Sequence, residues 1–85
     1  MPFFDHSIAD CIRQSELRLR QAGIDSPRLS AELLLASALQ TDRLWVLTHL
    51  DAGLSQGQVK AYLDLVGRRA SGHPLAYILG RKDFF

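Results

Sequence analysis

At 85 residues the chain has room for one small domain, which buries only about 60–65% of the surface its unfolded form exposes, and its 47% hydrophobic and 22% charged residues exclude a disordered or fibrous class. Ten Lys and Arg against nine Asp and Glu leave a formal net charge of +1, which argues against nucleic acid as a partner, since binders of that class concentrate a larger basic excess. One cysteine, no apolar run near the roughly 20 residues of a membrane span and an opening MPFFDHS without a basic leader favour a soluble, cytoplasmic protein with no membrane segment.

Apolar residues recur at helical spacing along most of the chain. Between Ser7 and Ala22, Ile8, Cys11, Ile12, Leu19 and Ala22 form one stripe opposite Arg13, Gln14, Arg18 and Gln21, and Gly23 is placed to end the helix. The next helix begins at Ser26, expected to cap the first free N–H groups, with Pro27 at the first helical position, where its missing donor costs nothing. Leu29, Leu33, Leu34, Leu35, Ala36 and Leu39 spread so widely around it that it should be a central helix touched from two sides.

Thr41 or Asp42 can cap a shorter helix through Leu44, Trp45, Val46 and Leu47, which Asp51 to Gly53 interrupt. Ser55 and Gln58 then have the spacing of a capping box, Val59, Tyr62, Leu63, Val66 and Ala70 the apolar stripe, and Gly72 the stop. Gly67, which costs up to about 1 kcal/mol against Ala inside a helix, points to close helix packing. PLAYILG is a short helix closed by Gly80, and RKDFF reads as the start of a strand. The fold class is therefore all-α, a small bundle of four to five short helices with a C-terminal extended segment. A single strand has no sheet to join in such a bundle, so its partner is expected outside these 85 residues.

The six glycines are scattered, with no phosphate or dinucleotide loop, and the three histidines at 6, 49 and 73 lack metal-ligand spacing. Cys11 on an apolar stripe reads as an inert buried thiol, and Trp45 and Tyr62, among Leu and Val, as core. Arg68, Arg69, His73, Arg81 and Lys82 gather positive charge where the chain leaves the bundle, making them the candidate partner-docking residues. The simpler reading, which is preferred, has Arg68 and Arg69 meeting the negative end of a helix and Arg81 and Lys82 solvated in a turn.

SPRLSAELLLASAL, RLWVLTHLDAGLS and LVGRRASGHPLAYILGRKDFF together resemble, from Ser26 to Phe85, the N-terminal region of the HemK-type release-factor glutamine methyltransferases, also called PrmC. Arg68, Arg69, Gly72, Pro74, Tyr77, Gly80 and Phe84 meet that family's R-R-x-x-G-x-P-x-x-Y-x-x-G-x-x-x-F pattern. His73 and Asp83 depart from its usual residues, and residues 1–25 match only in helical character.

The resemblance implies a parent enzyme in which residues 1–80 form a helical substrate-recognition domain and residues 81–85 begin a β-hairpin linker to a Rossmann-like methyltransferase domain. That domain would use S-adenosylmethionine to methylate the glutamine in the Gly-Gly-Gln loop of class-1 peptide chain release factors. The family's cofactor and Asn-Pro-Pro-Tyr motifs fall beyond Phe85. The resemblance thus implies no catalytic, cofactor or metal residue here, and a role in positioning substrate. Two alternatives stand beside it: a free-standing helical interaction module with a groove for a partner, and a helix-turn-helix binder, which the charge disfavours. The rings of Phe84 and Phe85 are expected to find no strand partner within one chain.

Overall fold

A computed structural model of the chain describes residues 6–80. They form five helices: α1 (Ile8–Gln21), α2 (Pro27–Ala38), α3 (Arg43–Leu47), α4 (Gln56–Ala70) and α5 (Leu75–Leu79). The all-helical expectation is met. The strand expected in RKDFF lies outside the described residues, and with it Arg81, Lys82, Phe84 and Phe85.

Three of the five helices, α1, α3 and α4, start on a capping side chain. The extended Ser7 accepts the Asp10 N–H at 3.1 Å, and Asp42 rather than Thr41 caps α3 by accepting the Trp45 N–H at 2.8 Å. Ser55 and Gln58 complete the capping box at the start of α4, each side chain holding the other's backbone N–H, at 3.1 and 2.9 Å. Ser26 does not cap α2. It precedes Pro27 as expected, but its backbone is left-handed, at φ 49° and ψ 57°, and it makes no side-chain cap bond. A capping oxygen reaches the N–H two or three residues on from an extended backbone, which Ser26 lacks.

The long helices share one ending. After α2 and α4, Gln40 (φ 58°) and Gly72 (φ 103°) turn left-handed, and the next N–H bonds back, Thr41 to the Ala36 carbonyl at 2.9 Å and His73 to that of Arg68 at 3.2 Å. Glycine adopts that turn without strain; Gln40 does not.

The core gathers on α2, which packs against the other four helices. Ala31, Leu34, Leu35 and Ala36 are buried against Ile8, Cys11, Ile12 and Leu19 of α1, Val46 of α3, and Tyr62 and Val66 of α4. Each fully buried Leu, Ile or Val contributes about 1.5–3 kcal/mol. Tyr62 donates its hydroxyl to the Ala31 carbonyl at 3.0 Å, offsetting the cost of burying a polar group, and burial pushes its phenol well above the ordinary range.

Four apolar expectations need correction. Ala22 and Leu29 face solvent at the ends of their helices, and Leu63 is 47% exposed while Leu65 packs partly against the core. Trp45 is not core: it stays 38% exposed, its ring stacked on His49 with centroids 3.9 Å apart. At Gly67 the close neighbour is a side chain rather than a helix backbone, since a Cβ there would lie 3.5 Å from Arg18 Nη2.

The start of α1 is clipped to the loop after α3. Ile8 and Ala9 donate to the carbonyls of Ala52 and Leu50, and Leu54 donates to that of His6, at 2.8–3.0 Å, placing Ser7 antiparallel to Gly53.

Candidate docking site

The turn from α4 into α5 brings Arg68, Arg69, His73 and Tyr77 together. The carbonyl of Arg68 accepts the His73 N–H and lies 3.0 Å from its ring Nδ1, so the imidazole is folded back onto the helix end. Arg69 runs the other way along the turn and donates from Nη1 to the His73 carbonyl at 2.9 Å, while its buried Nε has no partner among the described residues. Arg68 pairs at 3.2 Å with Asp64, both of them well exposed. Pro74 supplies the extended residue before α5, and Gly80 closes α5 in a left-handed turn.

These bonds divide the basic residues. Arg69 is a brace whose guanidinium is committed to the turn. Arg68 keeps most of its side chain in water, since an exposed ion pair is worth about 0–1 kcal/mol and exchanges readily with a partner's groups. Both arginines stand in the last turn of α4, where the helix-end reading has them. Tyr77, one of the residues of the sequence motif, is 74% exposed and lies over His73 with centroids 6.2 Å apart. The result is an exposed face of Arg, His and Tyr, of which Arg and Tyr are enriched among the residues that dominate protein interfaces. Arg81 and Lys82 lie outside the described residues.

A second charged cluster escaped sequence reasoning. Glu32 is buried on α2, where one carboxylate oxygen accepts from Arg28 Nε at 2.7 Å and the other from Arg43 Nε at 2.8 Å. Glu16 of α1 meets Arg28 at 3.4 Å, so the cluster ties three helices together. Burial alone would raise the Glu32 pKa, but the two arginines outweigh it and hold the carboxyl below the usual range. The Arg28–Glu32 spacing of four was the available signal, hidden among leucines. No group of three or more His, Cys, Asp or Glu side chains among the described residues could hold a metal ion. Burial, then the Asp10 charge, pushes the Cys11 thiol up, as suits an inert thiol. None of the described helices is long and apolar enough to cross a membrane.

The family model described as "PrmC N-terminal domain" matches residues 10–80, nearly the whole described chain. The chain belongs to the PrmC N-terminal domain family. The match starts within α1, so this PrmC N-terminal domain extends further towards its start than the resemblance beginning at Ser26. Among curated proteins it is 42% identical over 74 residues to a release factor glutamine methyltransferase of Nitratidesulfovibrio vulgaris, covering 87% of the chain and 25% of that protein. It is 35% identical over 79 residues to the release factor glutamine methyltransferase of Vibrio cholerae, 93% of the chain and 28% of that protein. A bifunctional methyltransferase of Rickettsia bellii is 31% identical over 80 residues, 94% of the chain and 14% of that protein. The chain spans about a quarter of the length of the first two relatives. No solved structure matches it significantly.

Proposed function

We propose that residues 1–80 are the substrate-recognition domain of a release factor glutamine methyltransferase, and that residues 81–85 begin the linker to its catalytic domain. The observation that carries this reading is the 42% identity to a release factor glutamine methyltransferase over 87% of the chain. In this reading the parent enzyme transfers a methyl group from S-adenosylmethionine to the glutamine of the Gly-Gly-Gln loop of a class-1 release factor in the cytoplasm. The helical domain holds the factor, and bond making belongs to the catalytic domain. Its contribution is orientation, which turns an encounter of two large molecules into a reaction at one fixed site.

The docking face is that of Arg68, His73 and Tyr77. Arg68 supplies an exchangeable cation, Tyr77 a large ring already in water, and Arg69 braces the turn beneath them. Arg81 and Lys82 extend the same basic character along the sequence.

The test is methylation of purified release factor by the full-length enzyme, by the same enzyme lacking residues 1–80, and by its Arg68→Glu/Tyr77→Ala variant. The expected result is a KM for the release factor raised on the order of tenfold in the double variant, as for loss of an interface hot spot, and more in the deletion, with kcat little changed. Unchanged KM in both would remove the docking role, and failure of the intact enzyme to methylate release factor would remove the activity itself.

A further inference from the structure

Lys60, Asp64 and Arg68 stand four residues apart on α4, so they form one row of exposed side chains that runs down to the turn holding His73 and Tyr77. Residues 55–80 carry Lys60, Arg68 and Arg69 against Asp64 alone, while in residues 6–54 the acids outnumber the bases. The small net charge of the chain therefore hides a basic pole, and the acid inside that pole is the one that holds its exposed arginine, at 3.2 Å. We propose that Asp64 is an internal stand-in for a carboxylate of the release factor, which displaces it from Arg68 on docking. The proposal rests on the docking reading above and adds to it the chemistry of the partner, an acidic patch on a protein surface.

The exchange costs little at either end. Arg68 and Asp64 keep 56% and 63% of their side chains in water, so parting them strands no charge in the core. The backbone does not oppose an incoming anion. The Gly67 carbonyl accepts from the Ser71 N–H and hydroxyl, and the Arg68 carbonyl from the His73 N–H, so the negative end of α4 is covered where the partner would approach. Arg69, held on the His73 carbonyl, keeps the turn in place while Arg68 changes partner. A nucleic acid fits this pole less well: with Asp64 in its middle, the row offers too few cations for the several phosphate contacts on which such binding depends.

The experiment measures methylation of purified release factor by the full-length enzyme and by its Asp64→Asn, Arg68→Ala and doubly substituted variants, at about 50 and 200 mM salt. Asp64→Asn, which frees Arg68, is expected to lower KM for the release factor about two- to fivefold at low salt, and Arg68→Ala to raise it by a similar factor, with kcat unchanged. The double variant is expected to match Arg68→Ala, and the higher salt to erase most of the differences. An unchanged or raised KM in Asp64→Asn overturns the exchange, even where Arg68→Ala raises KM and the docking reading stands. So does a double variant improved over Arg68→Ala as much as Asp64→Asn is over the parent, because Asp64 would then repel the partner directly. A labelled single-stranded RNA that binds the full-length enzyme and loses affinity in Arg68→Ala also overturns it, since phosphate rather than carboxylate would be the ligand. A KM moved neither by Arg68→Ala nor by deletion of residues 1–80 removes the docking reading itself, and the exchange with it.

Discussion

Arg28 and Arg43 reach from α2 and α3 onto the two carboxylate oxygens of Glu32, which is only 4% exposed, whereas Arg68 and Arg69 at the end of α4 meet a solvated Asp64 and a backbone carbonyl. In both corners the arginines' partners lie within reach of a helix end. The difference lies in what would be left behind if the arginine departed. At Glu32 it is a buried charge, which costs several kcal/mol unless paired. At Asp64 it is a carboxylate already in water. One corner is therefore fastened, and the other is free to trade its contacts with a partner.

The sharpest way to break this contrast is to neutralise each acid in turn. Glu32→Gln is expected to cost about 1–3 kcal/mol, leaving two guanidinium groups sharing a neutral acceptor, while Asp64→Asn should stay within about 0.5 kcal/mol. Urea unfolding of the two variants beside the parent domain checks it; equal losses would mean that burial does not separate the corners.

The same contrast can be drawn along the pH axis. The Glu32 pKa is held below its ordinary value, so its stabilising contribution is complete above about pH 5 and falls away as pH drops through the native pKa. The gap in unfolding free energy between the parent and Glu32→Gln should accordingly be flat near neutrality and shrink below about pH 4. A gap that widened on acidification would contradict the pairing.

Smaller effects divide the C-terminal corner itself. Arg69→Ala removes the brace on the His73 carbonyl and should cost about 0.5–1.5 kcal/mol, whereas Arg68→Ala should leave the melting curve almost in place. If Arg68 proves the more costly of the two, the assignment of brace and docking cation is reversed.

Sequence patterns resolved the helices well because each stripe reports which face meets the core, but they could not tell a stripe's centre from its edge. Val66 and Tyr62 fell at the centre and are buried; Leu63 fell at the edge and is not. Capping shows the same division. Ser55 was recognisable because Gln58 stands three residues on and the box is self-contained, while the role of Ser26 depended on a backbone angle that no residue type records. Ser55→Ala should cost about 1 kcal/mol, and Ser26→Gly, which relieves a left-handed non-glycine residue, should be neutral or slightly stabilising in the same assay. In the proposed docking face, the grouping of Arg68, Arg69 and His73 was legible from their spacing across a helix stop. The exposure of Tyr77 was not, because α5 has five residues and too few turns to define a face.

The fold-back of His73 sets a rule of chemical complementarity for whatever meets this corner. A carbonyl oxygen can only accept, so the ring nitrogen 3.0 Å from the Arg68 carbonyl must be the one carrying hydrogen, and that hydrogen is spent on the helix end rather than on anything that meets the surface. What His73 can turn outward is therefore only its Nε2 edge, beside an Arg68 guanidinium that can only donate.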